Sequence, residues 1–259
     1  MTDKKVVRVD HESGDEPKND ASWKPTAEAN GRATTLRLIA AALWLVAIGG
    51  EAYGIFGVLR QTPVNMVLLI ALIVVIGILA IAGSLLWKKA NRLDPARKSD
   101  TIRFFVQNQL GAIITVIAFL PLIVLILMNK DMSKNQKALA GGIGVVVMLV
   151  ATTIGIDWNP PSVEQYTEES NQVQDATGRD LVYWTKEGKV FHLCEDASAV
   201  NLESKDNRIY SGTVADAHAA GKERLTLQVE QERKQCGFDT PADDVSPAAG
   251  VTPGAETTP

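Results

Sequence analysis

Four long apolar segments, separated by short polar breaks, occupy the middle of the chain. They cover residues 38 to 59, 64 to 87, 110 to 128 and 138 to 156. Each has the length that a helix rising ~1.5 Å per residue needs to cross ~30 Å of hydrocarbon. Because lipid offers no partner to a free backbone N–H or C=O, each segment is predicted to be an α-helix that satisfies its own backbone.

Polar segments flank this apolar region on both sides. Residues 1–33 contain few large apolar side chains and cannot bury enough surface to offset the entropy of ordering, so we predict a disordered tail, with a docking motif around Trp23 as the alternative. The transmembrane bundle takes residues 34–157. A polar linker is predicted for 158–180, a small folded module for 181–238 and a low-complexity, disordered tail for 239–259.

Residues 181–238 have the pattern of a small α+β domain. The runs LVYWT and KVFHL flank a turn at Gly188 and predict a β-hairpin, and RIYSG predicts a further strand. In TVADAHAAG, Thr213 is a candidate N-cap, Asp216 completes a capping box and Gly221 ends a short helix. LTLQVEQE predicts a last strand or a helix. The predicted fold class is thus a mainly α membrane protein, a four-helix transmembrane bundle followed by a small α+β soluble domain.

Glu51 is the most informative residue of the first apolar segment. It lies ~5 Å from the centre of that helix, too deep for a carboxylate to reach water easily. We expect it to face protein or a water-filled crevice. One interpretation is a protonated carboxyl that bonds across the bundle or across an oligomer interface, and the other is a proton or cation relay.

Small residues mark the faces on which other helices can approach closely. Those selected as packing positions are Gly50, Gly54, Gly57, Gly142 and Gly155. Such stripes favour tight packing of membrane helices, and we predict that the fourth segment packs against the first. The same faces are also compatible with a homo-oligomer.

Six bases lie between the second and third apolar segments. They are Lys88, Lys89, Arg92, Arg97, Lys98 and Arg103. Basic loops are retained on the cytoplasmic side and attract anionic headgroups, so we predict a lipid-facing basic loop. Both termini are then expected in the cytoplasm of a multi-pass plasma membrane protein.

The charge balance and the motifs limit the functions that fit. A net charge of −4 argues against nucleic-acid binding, which needs a basic face. No nucleophile beside a base, phosphate loop or paired carboxylates are evident, so we do not predict an enzyme. We predict a non-enzymatic membrane protein that presents an interaction or regulatory module to a protein partner or a second copy, next to the bilayer. A small transporter or channel component that uses Glu51 is the alternative.

The run YWTKEGKVFHLC followed by SGTVADAHAAG resembles the small metal-binding module related to the zinc domain of the Ada DNA-repair protein. The matching positions are Tyr183, Gly188, Phe191, His192, Ala217 and Gly221. The same stretch resembles the soluble part of uncharacterised actinobacterial four-span membrane proteins. Members of the Ada-related family place two cysteines directly after the helix glycine, whereas this chain has Lys222 and Glu223 there.

Three interpretations of Cys194 and Cys236 remain open at this stage. A disulfide would staple a domain too small to fold easily alone. Two thiols are the default in a reducing compartment. The third is a zinc ion held by His192, Cys194, Cys236 and one further group.

Overall fold

The computed structural model describes residues 4–9 and 22–238. Four long helices form the first part of the chain: α1 (Ala27–Tyr53), α2 (Met66–Leu93), α3 (Thr101–Met128) and α4 (Lys134–Gly155). A π-helical turn, Gly54–Val58, extends α1. All four are long and apolar enough to cross a membrane. The prediction of four such helices is confirmed.

Shorter elements make up the rest of the described chain, and all except the first strand follow these helices. The helices are α5 (Val163–Thr177), α6 (Ser198–Glu203), α7 (Val214–Ala219) and α8 (Val229–Gln235). The strands are β1 (Lys5–Arg8), β2 (Val182–Trp184), β3 (Val190–Phe191), β4 (Arg208–Gly212) and β5 (Arg224–Leu225). A small strand-containing region therefore follows the four long helices, as predicted.

Each long helix begins after a residue whose side chain caps its first turn. The caps are Thr26, Asn65, Asp100 and Ser133, and each accepts a hydrogen bond from the backbone N–H three residues later. Such a bond satisfies one of the N–H groups that have no partner within the helix. Because Thr26 caps α1, residues 27–33 are helical, and the prediction of disorder is wrong for them.

The long helices pack as two hairpins, α1 with α2 and α3 with α4, and α2 also contacts α3 and α4. The expectation that the fourth segment packs against the first is wrong, because α4 packs chiefly on α3 and α2. Gly155 explains why α4 packs closely on α3. A Cβ at this position would lie 2.8 Å from the backbone nitrogen of Ala112, so only glycine allows α4 to approach α3 this closely.

The other predicted packing glycines have different surroundings. Gly50 faces Ile76 of α2, and Gly54 lies between α2 and α3. A Cβ on Gly57 would meet only the ring of Tyr53, on its own helix, and one on Gly142 would meet nothing within 4 Å. Three of the five predicted glycines thus lie at helix contacts within the chain.

The N-terminal strand β1 belongs to the sheet of the C-terminal module. The strand order is β1-β4-β2, with β1 parallel and β2 antiparallel to β4, so that Lys5 pairs with Arg208. Residues 4–9 were predicted to be disordered, and that prediction is wrong, because β4 offers an open edge whose backbone groups they pair with. Residues 10–21, from the same predicted tail, and 239–259 lie outside the described residues.

The prediction of a linker for residues 158–180 is also wrong, because most of this segment forms α5. Ser162 caps the start of this helix and Gly178, with φ +74°, ends it. Tyr166, Glu169 and Val173 form its buried face at helical spacing. The polar composition of this segment therefore reflects an amphipathic helix packed on the module.

The module core gathers side chains from the strands and from α5 and α7. Its buried members are Val173, Val182, Trp184, Phe191, Leu193, Val214, Ala217 and Leu225. The predicted capping box of Thr213 and Asp216 is present at the start of α7. Of the run LTLQVEQE, predicted as a last strand or a helix, only Leu225 is extended, at the end of β5, and Val229 begins α8.

Candidate functional site

The module lies against the end of the bundle at which α2 ends and α3 begins. The Tyr166 hydroxyl donates to the carbonyl oxygen of Arg92 at 3.0 Å, and the Arg92 guanidinium lies 3.9 Å from Glu223. The Glu164 carboxylate accepts the backbone N–H of Lys98 at 2.8 Å. We call this contact, formed by Arg92, Lys98, Glu164, Tyr166 and Glu223, the junction. It holds the module at one place relative to the four long helices.

Part of the predicted lipid-facing basic loop contacts protein at or near the junction. The Lys88 ammonium donates to the Ile156 carbonyl oxygen at 2.6 Å, and the Arg97 guanidinium donates to the Ser22 hydroxyl at 3.3 Å. Lys89, Arg97, Lys98 and Arg103 are exposed, whereas Lys88 and Arg92 are half-buried. Most of the six bases are therefore exposed to solvent, although Arg97 also contacts Ser22 in the segment before α1.

The Glu164 carboxylate has a protonation preference that can be tested. Burial acts to raise its pKa, but hydrogen bonds from the backbone N–H groups of Lys98 and Ser99, together with the Lys98 charge, outweigh burial and hold the pKa below its ordinary value of 4.5. A lowered pKa means that the carboxylate stabilises the folded state above its ordinary pKa. This stabilisation is lost as the pH falls through the lowered value.

We expect Glu164→Gln to weaken the junction by ~1 kcal/mol or less, because this carboxylate is largely exposed to solvent. Amide exchange of residues 94–100 should be faster than in the wild-type chain near neutral pH, and the difference should shrink as the pH falls below 4.5. Glu168→Gln, one turn along the exposed side of α5, is the matched control and should exchange like the wild type. Equal exchange in the two variants at every pH would contradict this role.

Three rings stack where the segment before α1 meets the module. The Tyr166 and His218 rings are parallel, with centroids 3.5 Å apart, and Trp23 packs edge-on against Tyr166 at 4.9 Å. Trp23 is buried. Burial, followed by the negative charge of Glu169, raises the pKa of the Tyr166 hydroxyl, so Tyr166 stays a neutral donor. Trp23, for which a docking motif was the alternative to a disordered tail, thus packs against its own chain.

The hydrogen-bond partners of His218 determine how many protons the His218 ring and the Glu169 carboxyl carry together. The Nδ1 atom lies 3.0 Å from the Lys222 carbonyl oxygen, which can only accept, so Nδ1 carries a proton. The Nε2 atom lies 2.9 Å from Glu169 Oε2. A hydrogen bond there needs a second proton, on the ring or on the carboxyl. The buried pair therefore holds two protons.

A second buried histidine connects β3 to α8. His192 Nδ1 lies 2.7 Å from Glu232 Oε1, and Glu232 Oε2 accepts the Leu193 N–H at 3.0 Å. The other ring nitrogen, Nε2, and Glu203 Oε2 are buried without hydrogen bonds, and the 3.8 Å between them is too long for one. Glu232 thus joins two distant segments through both of its oxygens.

Lys222, whose carbonyl oxygen contacts His218, has a buried side chain. Its ammonium donates to the carbonyl oxygens of Thr185 and Gly188, each at 2.6 Å. Burial lowers the pKa of Lys222, and the negative charges of Glu203 and Glu187 partly oppose this effect. The ammonium therefore closes the turn between β2 and β3 and is not directed towards solvent.

The two cysteines form a disulfide with a Cα–Cα distance of 6.1 Å. This corrects the zinc hypothesis for His192, Cys194 and Cys236, because zinc requires cysteine thiolates and both sulfurs are bonded to each other. His192 Nδ1 is directed to Glu232 instead. Among the described residues, no group of three or more His, Cys, Asp or Glu side chains could hold a metal ion.

Glu51 lies inside the bundle, apart from the module. It is buried, and its Oε1 atom accepts the backbone N–H of Leu122 in α3 at 3.3 Å. Leu122 directly follows Pro121, the proline within that helix. The carboxyl therefore contacts a second helix at a point where the backbone pattern of α3 is interrupted.

The buried acids that complete the module were not found by sequence reasoning. They are Glu169 and Glu232, and with them belong His218 and Lys222. Each is partnered by a residue far away in the chain, so only the polar side chains at buried helical positions of α5 and α8 could have signalled them. No protein family model, curated protein or solved structure matches the chain. The likeness to the Ada-related module stays a prediction.

Proposed function

We propose that this chain is a non-enzymatic, multi-pass protein of the plasma membrane that holds a small interaction or regulatory module in a fixed position at the bilayer surface. The observation that carries this proposal is the way the module is attached. Strand β1 adds to its sheet from the N-terminal side of α1, and α5 joins it to the end of α4. A module meant only to be tethered would not need attachment through chain segments both before and after the four long helices.

The polar cluster of the module supports a structural role. His192 and Glu232 are 1% and 2% exposed, so neither side chain is accessible to a substrate from solvent. We also propose that the module is a degenerate relative of the Ada-like zinc domain, with a disulfide and buried hydrogen-bonded His–Glu pairs in place of metal. Phe191 and Ala217, two of the matching positions, lie in its core.

Two experiments test the proposal. Alkaline carbonate extraction of native membranes should leave the chain in the pellet, whereas release into the supernatant would contradict membrane insertion. Cross-linking of the full chain in native membranes should then give a reproducible contact between the module and a protein partner or a second copy. Cross-links confined to one copy of the chain, with no phenotype on deleting residues 158–238, would remove the interaction role.

The side of the membrane on which the module lies is a separate part of the proposal. The basic loop favours a cytoplasmic module, with both termini inside. The disulfide favours an oxidising compartment, because cytoplasmic disulfides are rare. We place the module in the cytoplasm on the number of bases, six in the loop at its end of the bundle.

A membrane-impermeant maleimide decides between the two sides. With a reductant present throughout, labelling of Cys194 and Cys236 only after permeabilisation would support the cytoplasmic position. Labelling in intact cells after addition of a reductant would reverse the topology and make the disulfide a permanent staple of an outward-facing module.

The buried Glu51 supports a second candidate, a small transporter or channel component. Glu51→Gln keeps the size of the side chain and an oxygen for the Leu122 N–H, so folding should be unchanged. Under this candidate, the variant abolishes a proton or cation flux in reconstituted vesicles. Flux that survives the substitution, or is absent from the wild-type chain, would remove the candidate.

A further inference from the structure

The disulfide fastens the last described helix to the rest of the module. Cys236 directly follows α8, and its partner Cys194 lies shortly after β3. Both cysteines are half-buried, and their neighbours Glu195 and Gly237 are exposed. The disulfide therefore lies near the surface of the module, where a thiol can approach it from solvent, as thiol–disulfide exchange requires.

The described contacts of α8 with the module are made by side chains. The pairing of β3 with β5 ends before α8 begins. The helix is then held by the Glu232 carboxylate, which contacts His192 and Leu193, and by Gln235, whose Oε1 atom accepts the Ser198 N–H at 3.2 Å. α8 can thus separate from β3 without breaking the pairing of any described strand.

α8 covers part of the apolar core of the module. Val229, Cys236 and Phe238, which lie in or just after this helix, pack against the cluster that contains Phe191 and Leu193. Leu193 is only 1% exposed. Separation of α8 would uncover this apolar surface, and an exposed apolar patch with a polar rim is typical of a protein-binding site.

The compartment of the module determines whether such a disulfide is permanent. This inference rests on the proposed function, which places the module in the cytoplasm. Disulfides are rare in that compartment because thiol reductants keep cysteines reduced, and those that form are usually transient and serve catalysis or redox sensing. A cytoplasmic disulfide near the surface of an interaction module therefore indicates control by the redox state.

We propose that Cys194 and Cys236 form a reversible redox switch that controls the attachment of α8. The reductant is a cytoplasmic dithiol protein. One of its thiolates attacks a disulfide sulfur and forms a mixed disulfide, which releases one cysteine, and its second thiolate then displaces the other cysteine. The module gains two electrons and two protons as two thiols, while the dithiol becomes a disulfide. Reduction frees the end of α8, and the reverse exchange with an oxidised dithiol fastens it again.

The chain-entropy treatment gives the size of the effect on α8. With Cys236 bonded to Cys194, the opened helix is a loop that is held at both ends. Freeing one end of a loop of roughly ten residues raises the population of its open form by about a hundredfold. Reduction thus favours opening of α8 while the strands of the module stay paired.

Hydrogen exchange of the full-length chain in detergent tests this local opening. One sample is reduced with dithiothreitol and a second is left oxidised. Amide exchange of residues 229–238 should rise by about a hundredfold on reduction. It should then exceed the exchange of β4 and depend little on added denaturant, because local opening exposes little surface. The variant with both cysteines changed to serine is the matched control and should exchange like the reduced chain with or without dithiothreitol.

Equal opening free energies of α8 and β4 in the reduced chain would overturn the proposal. α8 would then leave only when the whole module unfolds, and the disulfide would be a staple of the entire fold. No change in the exchange of residues 229–238 on reduction would overturn it as well.

The redox state in cells tests reversibility. Cells are quenched with acid, and the free thiols of the full-length chain are counted by the mass added on alkylation. Cys194 and Cys236 should be thiols during growth, a disulfide after treatment with the thiol oxidant diamide, and thiols again after its removal. A chain that keeps one state throughout would overturn the switch.

The membrane-impermeant maleimide assay separates this failure from a failure of the proposed function. A module that is labelled only after permeabilisation, but whose disulfide never changes state, refutes the switch alone. Labelling of the reduced cysteines in intact cells refutes the cytoplasmic position, and the switch with it.

Discussion

Replacing Glu232 by alanine is expected to destabilise the C-terminal module by ~2–6 kcal/mol, because two buried polar groups lose their acceptor at a cost of ~1–3 kcal/mol each. The substitution leaves His192 Nδ1 and the Leu193 N–H without acceptors inside the core. A domain with ~5–15 kcal/mol of stability has little left after such a loss. Amide exchange of β4 and α8 in the full-length chain should become fast, while exchange within α2 and α3 should stay slow.

Glu230→Ala is the matched control for this prediction. Glu230 is on the same helix, but its side chain is 77% exposed and faces Arg233 at 3.6 Å. Exposed pairs of this kind contribute ~0.2–1 kcal/mol, so exchange should hardly change. Glu232→Gln keeps one acceptor oxygen and should fall between the two. Slow exchange of the module in the Glu232→Ala variant would show that the buried pair is not a major source of its stability.

Breaking the disulfide should have a comparable effect. Cys194 and Cys236 are separated by 42 positions, and closing a loop of this length stabilises a folded domain by about 4 kcal/mol in the chain-entropy treatment. A variant with both cysteines changed to serine should therefore unfold at lower denaturant concentration in its module, with the four long helices unaffected.

Reduction of the wild-type protein provides the control. The wild-type chain treated with a phosphine reductant should match the double serine variant, and the variant should not respond to the reductant. A variant as stable as the oxidised wild type would contradict the prediction. Because Cys236 directly follows α8, which carries Glu232, combining the serine changes with Glu232→Ala should give less than the sum of the two effects.

These expectations describe a module stabilised by a few specific long-range bonds and only a small apolar core. A region of this size buries too little apolar surface to be stable on that basis alone. The disulfide, the His192–Glu232 pair and the added strand β1 each join segments that are distant in the chain. The junction adds the bundle itself as a support for the module.

Local patterns in the sequence were sufficient for the four long helices and for the start of α7. Segment length and apolar composition identify the four long helices, because each satisfies its backbone within itself. The capping box of Thr213 and Asp216 could be recognised since its two bonds span only three residues. Glu51 was singled out for its depth, and the structure places it between α1 and α3.

Only the tertiary structure decided which distant segments meet. The pairing of β1 with β4 joins Lys5 to Arg208, and the His192–Glu232 and Cys194–Cys236 contacts bring the two sides of the module together. Amphipathic α5 looked like a linker because its apolar face is narrow, and α4 was assigned to the wrong neighbour because a stripe of small residues does not specify its partner. A sequence determines an interaction by itself when the partners are a few residues apart. Interactions between distant residues depend on how the whole chain folds back on itself.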